Sequence, residues 1–339
     1  MDETADGEPM RTPPACVPSG TAVPSDLARL AAVAADYAEA SRAPATRRAY
    51  NSAWRAFATW CEANGLASGP AAPGTVALYL TARAEAGARV STLNKAMAAI
   101  AAMHREAGFS PPAAPGLSVV WSGIRRDCAR LPKKAAALVT ADLRKVVARL
   151  PATPAGARDK ALLMVGFAAA LRRSELVAIW IGPDAGNRGA HQLEFVAGGM
   201  QIRMGRSKTD QEARGSVVAI PRGKTRLCPV AALQAWLTLS AITAGPVFRS
   251  VDRHGRIGPR LTDRAVADIV KRAVARAGLN PALFSGHSLR AGFVTSAAAA
   301  GVTTELIMRQ TRHRDAKTVA GYVRDAELFT RNAAGKVGL

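Results

Sequence analysis

Gly286-His287-Ser288-Leu289-Arg290, then Arg312-His313-Arg314, then Ala320-Gly321-Tyr322-Val323 punctuate the stretch on which the reading of this chain turns. His287 and Arg290 lie three apart, so a helix would carry both on one face. His313 precedes Tyr322 by nine residues, and the other three tyrosines, Tyr37, Tyr50 and Tyr79, all lie in the first quarter. A guanidinium, two imidazoles and a phenol fit chemistry on an anion, with the phenol available as nucleophile.

Upstream, the pattern prepares for that stretch. Thr140 is a good N-cap for a helix that leads into the apolar run Leu162 to Ala170, which reads as a buried helix delivering Leu171-Arg172-Arg173-Ser174-Glu175-Leu176 at its end. From about residue 192 to 221 the period changes. Leu193-Glu194-Phe195-Val196 and Met200-Gln201-Ile202-Arg203-Met204, split by Ala-Gly-Gly, read as a hairpin, and Val217 to Pro221 as a third strand. Lys208 sits in the loop before that strand. Helices are expected again over 229–241, 261–278, 287–300, 303–310 and 315–323, with a final amphipathic piece near 325–337.

The first part of the chain reads as a helical bundle. Residues 1–24, rich in Pro, Gly, Thr and acids, are expected to be a disordered leader. Helices follow from Leu27, over Thr46–Cys61, from Pro73, from Ser91-Thr92 as cap, and near 116–128. Tyr50, Trp54 and Phe57 repeat at core spacing. Arg125 to Lys134, basic and broken by Pro132, reads as a linker. The domains expected are therefore a bundle over 25–128, a linker over 129–137 and a second domain over 138–339, mainly α with a small antiparallel β-sheet.

The charge names the class of partner. The chain of 339 residues has a net charge of +21, and beyond residue 24 it holds 45 basic against 21 acidic residues. A body that basic is expected to bind a polyanion, most simply nucleic acid. Cys16, Cys61, Cys128 and Cys228 are scattered without CxxC or His spacing, which argues against zinc and against a disulfide framework and fits a reducing cytoplasm. No apolar run reaches membrane-spanning length, and the acidic start is unlike a signal peptide.

A phosphodiester suits the residue set. Attack by an alcohol builds charge on the non-bridging oxygens, which guanidiniums stabilise by paired hydrogen bonds. Arg172, Lys208, His287, Arg290 and His313 supply cations and donors without a convergent Asp/Glu set, so a route without metal is the better fit, and no Walker-type loop offers ATP. Taken one at a time, each residue has an ordinary structural role. Taken in this order on so basic a chain, they form a set.

That set resembles the tyrosine recombinase (phage integrase) family. The family pattern is Leu-Arg-x-x-Glu-Leu, a hairpin Lys, His-x-x-Arg, His or Trp, then Tyr; here it reads Leu171 to Leu176, Lys208, His287 to Arg290, His313 and Tyr322. Gly205 to Thr209, Phe284 to Ser288 and Gly301-Val302-Thr303 resemble the Cre-like branch. The resemblance implies a helical core-binding domain plus a mixed α/β catalytic domain. It implies that Arg172 and Arg290 clamp the scissile phosphate and that Lys208 protonates the leaving 5′ oxygen. His287 would assist proton transfer with Tyr322, His313 would hydrogen-bond the phosphate, and Glu175 would orient its basic neighbours. Arg48, Lys95 and Arg264 fall where Cre-like enzymes contact DNA. Ala326, Leu328 and Phe329 resemble a helix docked into a neighbouring subunit, implying a homotetramer on two duplexes bearing short inverted repeats. No cofactor is implied.

Two departures stand out. Arg312 replaces the Gly usual before His313, and Ala170 replaces the Gly usual before Leu171. At Arg312 the change adds a donor near the phosphate or simply faces solvent. Two other functions share parts of this pattern: a type IB topoisomerase and a DNA-binding protein that keeps the fold without catalysis. The bundle and the Cre-like segments favour the recombinase.

Overall fold

The computed structural model describes residues 25–40, 42–129, 135–183, 190–205, 215–313, 315–316 and 319–322. The chain divides into two compact units, Met1–Pro132 and Lys133–Leu339. The expected leader, much of the linker, Lys208 and the segment after Tyr322 lie outside the described residues.

In the first unit, α1 (Ser25–Ala40), α2 (Pro44–Ala63), α3 (Pro73–Glu85), α4 (Val90–Glu106) and α5 (Pro115–Asp127) are helices. Proline opens α2, α3 and α5, where its fixed φ suits the first turn and its missing N–H costs nothing. Two of the three residues of the expected stripe join the core: Phe57 is fully buried and packs edge-on to Tyr79, with Trp54 and Trp60 completing the aromatic cluster, while Tyr50 is half-buried outside it under the Arg42 guanidinium. Ser91 and Thr92 do not cap α4. The helix starts one residue earlier, with Arg89 as N-cap and no side-chain bond.

The second unit opens with α6 (Thr140–Ala148), α7 (Pro154–Ala168) and α8 (Arg173–Val177). Thr140 is not the N-cap of α6; Val139 is, and the Thr140 N–H donates to the Ser296 hydroxyl instead. Strands β1 (Ile179–Ile181), β2 (His191–Val196), β3 (Gly199–Met204), β4 (Ser216–Pro221) and β5 (Gly245–Pro246) form one sheet in the order β4-β3-β2-β1-β5. The β2–β3 hairpin pairs Val196 with Gly199 around the expected turn. The sheet is mixed rather than purely antiparallel, because β1 and β2 run parallel, joined by a connection longer than a hairpin turn.

After α9 (Pro229–Ser240), a small ribbon of β6 (Arg249–Val251) and β7 (Ile257–Arg260) precedes α10 (Asp263–Arg276), α11 (Ser288–Ala299) and α12 (Thr304–Thr311). Residues 319–322 are again helical. The core joins Leu162, Leu163 and Val165 of α7 to Trp236 of α9, Ile202 of β3, Ile269 and Val270 of α10 and Leu289 of α11. A satellite cluster of Val294, Ala298, Ile307 and Val319 seats Tyr322 against α11 and α12.

Candidate active site

Four helix ends converge on one site: the end of α7, the starts of α8 and α11, and the end of α12. The burial of Leu162 to Val165 fixes α7, and the chain leaves it through Ala169 and Ala170. Ala170 takes a left-handed turn with φ 48°, the conformation that explains the glycine usual in the family pattern. Its carbonyl accepts a 2.6 Å hydrogen bond from Arg290 Nη1. Arg290 is only 2% exposed, and its second terminal nitrogen, Nη2, is buried with no partner among the described residues. Burial, then repulsion from Arg172, lowers the Arg290 pKa to about 10, so it remains a cation at neutral pH.

Arg172 is the N-cap of α8, and Glu175 reaches back to it. The Arg172 N–H donates to Glu175 Oε2 at 2.9 Å, and Arg172 Nη1 donates to Oε1 at 2.7 Å. Arg312 Nη2 reaches the same Oε2 at 2.6 Å from the far side. Burial alone would push the Glu175 carboxyl up; Arg312 and both Arg172 contacts outweigh it and hold the pKa at about 2. Glu175 is therefore an anion that orients two guanidiniums. Arg312 does not face solvent: its side chain is 13% exposed, and its Nε is buried with no partner among the described residues. It is turned inward.

His287 caps α11, and its Nε2 lies 2.9 Å from the Tyr322 hydroxyl. The protein packed around its ring, and then Arg290, Arg172 and Arg173, lower its pKa and favour the neutral imidazole. His313 bonds through Nδ1 to the Thr311 hydroxyl at 2.6 Å. Burial, then Arg290 and Arg172, press its pKa to about 4. Arg172, Arg173, Ser174, Asp263, Ser285, Gly286 and His287 line an open cleft of ≈ 420 Å³. A bound anion there would be met by guanidiniums and would raise the pKa of His287.

Six of the seven expected catalytic side chains thus come together; the seventh, Lys208, lies outside the described residues. Arg48 on α2 and Lys95 on α4 are exposed in the first unit, and Arg264 is exposed in the first turn of α10 in the second. Two further residues belong to the site's frame. His191 is 2% exposed at the start of β2, and its Nδ1 accepts the Gly205 N–H at 3.0 Å. Burial lowers its pKa to about 4. Gly286 lies against Arg173, whose Cγ and Cδ occupy the space a Cβ would need. No helix among the described residues is long and apolar enough to cross a membrane.

Residues 137–328 match the Phage integrase family. The integrase/recombinase xerD homolog of Selenomonas ruminantium is 37% identical over 306 residues, covering 88% of this chain and 87% of that protein. The recombinase cre of Escherichia phage P1 is 26% identical over 296 residues, covering 81% and 82%. A lambda integrase dimer bound to a COC′ core site aligns with TM-score 0.57 at 13% identity, covering 90% of this chain and 95% of that one. XerH bound to a palindromic difH substrate, a post-cleavage complex, aligns with TM-score 0.53 at 16% identity, covering 78% and 72%. At such identities the structural likeness shows the fold. Both sequence relatives are recombinases, which does not favour the topoisomerase alternative. With the family matched over more than half of the chain and the arginines, imidazoles and tyrosine gathered at one site, the chain belongs to the phage integrase family and is a tyrosine site-specific recombinase.

Proposed function

We infer that the protein cuts and rejoins duplex DNA through a covalent link between Tyr322 and a 3′ phosphate, without metal or ATP. One observation carries the reading: the Tyr322 hydroxyl lies 2.9 Å from Nε2 of an imidazole held towards neutrality. His287 takes the phenolic proton as the phenol oxygen attacks phosphorus. The P–O5′ bond breaks, and the 5′ oxygen leaves with a proton from Lys208. Arg172 and Arg290 clamp the non-bridging oxygens, with the open Nη2 of Arg290 as one donor, and His313 adds a hydrogen bond. In the second step a 5′ hydroxyl of the partner strand attacks the phosphotyrosyl ester and releases Tyr322.

Arg48, Lys95 and Arg264 are assigned to DNA contacts, as exposed cations on helices. The working assembly is a homotetramer on two duplexes with short inverted repeats, in the cytoplasm at the nucleoid. The bundle over 25–128, the linker over 129–137 and the catalytic domain over 138–339 are its parts. Covalent capture tests the chemistry. Fragments flanking the gene, nicked to trap the intermediate, are incubated in EDTA with wild type and Tyr322→Phe. An adduct that survives denaturation and forms with wild type alone supports the reading. No adduct on fragments bound specifically would leave a DNA-binding protein, and relaxation of plasmids lacking any special site would mark a topoisomerase.

A further inference from the structure

We propose that Arg312 is a positioning residue for the recombination chemistry: it anchors Glu175 from the side opposite Arg172 and so fixes the aim of the Arg172 guanidinium. The inference rests on the site being a phosphodiester-cleaving centre.

Arg312 ends α12 in the left-handed region, φ 58° and ψ 38°. A side chain there meets a steric cost that glycine avoids. The arginine therefore occupies a strained position where the backbone asks for something else. What it gains is a 2.6 Å ion pair between side chains only 13% and 4% exposed. With Arg172 Nη1 on Oε1 and Arg312 Nη2 on Oε2, each carboxylate oxygen has its own guanidinium. The carboxylate cannot rotate without losing one of them. Arg172 is thereby held by a group that is itself held.

The same residue reaches the other side of the cleft through the backbone. His313 follows Arg312 directly, and its ring is tied back to Thr311, whose hydroxyl also lies 2.7 Å from the Ile307 carbonyl. Anchoring Arg312 thus ties a phosphate-clamping arginine on α8 to a phosphate-facing imidazole after α12. Two cations around one anion leave the trio with a net positive charge beside the cleft.

The test uses the full-length protein and the nicked duplex on which wild type forms its adduct. Single-turnover adduct formation at saturating protein is measured for Arg312→Gly, Arg312→Gln, Arg312→Lys, Glu175→Gln and the Glu175→Gln/Arg312→Gly double variant, with DNA affinity and melting temperature alongside. Arg312→Gly is expected to slow adduct formation about tenfold, a loss of roughly 1.4 kcal/mol in the barrier term, with affinity unchanged. Arg312→Lys should recover part of the rate, since it restores the charge without the planar fork. The double variant should be no slower than Glu175→Gln alone. Wild-type rates in Arg312→Gly, or losses that multiply in the double variant, overturn the proposal. Should Arg312→Gly fail to fold, Arg312→Gln keeps the bulk and drops the charge. It should show the same slowing, and a wild-type rate there overturns the proposal equally.

A DNA-free arm separates this proposal from the one beneath it. In protein labelled with ¹³Cδ-glutamate, the Glu175 carboxyl should titrate at higher pH in Arg312→Gly than in wild type. An unmoved titration overturns the anchor. A moved titration with no adduct from wild type leaves the anchor standing and sinks the phosphotyrosyl reading.

Discussion

The helical bundle and the catalytic unit each hold imidazoles packed into the protein, and they use them in opposite ways. In the bundle, His104 is 2% exposed, its Nδ1 donates to the Ile100 carbonyl at 2.8 Å, and its Nε2 accepts the Ala71 N–H at 2.9 Å. Both ring nitrogens are used, and the ring stands edge-on to Trp54. In the catalytic unit, His287 and His313 meet a hydroxyl through one nitrogen each, amid guanidiniums. Within the catalytic unit itself, two arginines show a like division. Arg158, 4% exposed, bonds Asp159 and the Arg249 carbonyl, whereas Arg290, 2% exposed, keeps Nη2 without a partner among the described residues. His104 and Arg158 spend their bonds inside the fold, whereas Arg290 is held through Nη1 and leaves Nη2 open.

The sharpest way to break this contrast is to exchange the phenotypes. Tyr322→Phe should abolish adduct formation, a loss of at least about a thousandfold, while the melting temperature stays at the wild-type value. His104→Ala should do the reverse. It strands the Ala71 N–H and opens a cavity beside Trp54, for about 2–4 kcal/mol of stability by urea titration. Adduct formation per folded molecule should be unchanged. A His104→Ala protein that folds fully and cleaves tenfold slower, or a Tyr322→Phe protein that melts early, would erase the distinction.

Acid should find the catalytic unit first. His191 and His313 have folded pKa values of about 4, below the 6.5 of an unfolded histidine, so between those values the unfolded chain binds protons that the folded one refuses. Their contribution is complete above pH 6.5 and is lost as pH falls towards 4. Glu175 adds a second loss in the same direction, from the ordinary carboxyl range down to about pH 2. For the buried His191 the loss is of order 3 kcal/mol. His191→Gln should flatten the stability curve between pH 6.5 and 4, as read by urea titration at each pH. An unchanged slope would show that His191 does not carry the acid sensitivity.

What the sequence discloses follows the range of each signal. Helices α2, α7 and α11 and the β2–β3 hairpin are legible because their apolar periods run over whole elements. The catalytic set is legible because its order and spacing match a family pattern. The short strands β1, β5, β6 and β7, of two to four residues, are too brief to show alternation, so the sheet's parallel pair leaves no mark in the sequence. Ser91, Thr92 and Thr140 have the chemistry of caps, yet each helix begins where packing sets it, a residue or two before. Arg312 reads as a donor near the phosphate or a solvent group because its partner, Glu175, lies 137 positions away. The glycine it replaces is the available clue to a left-handed backbone. His104 is signalled only as the one polar side chain continuing the buried face of Leu93, Ala96 and Ile100.

Two glycines six residues apart sharpen the contrast around the start of one helix, and the smallest expected effect is at the second of them, Gly286. At Gly292 an added Cβ would overlap the backbone oxygen and carbon of Leu138. That backbone is pinned, since the Leu138 N–H donates to the Ser288 carbonyl at 2.9 Å. Gly292→Ala should therefore cost about 1–3 kcal/mol or more of stability. At Gly286 the overlap is with the side chain of Arg173, which is 45% exposed and, among the described residues, held by a 3.7 Å ion pair to Asp263. It can swing out, so Gly286→Ala should cost under about 1 kcal/mol. Its mark should fall on the chemistry instead. Arg173 is one of the cations that depress the His287 pKa, and moving it away lets that pKa rise. The acid limb of the pH–rate profile for adduct formation should then shift to higher pH, because the base stays protonated further up the scale. A profile unmoved by Gly286→Ala would mean that Arg173 does not tune His287, and that the glycine serves only to make room.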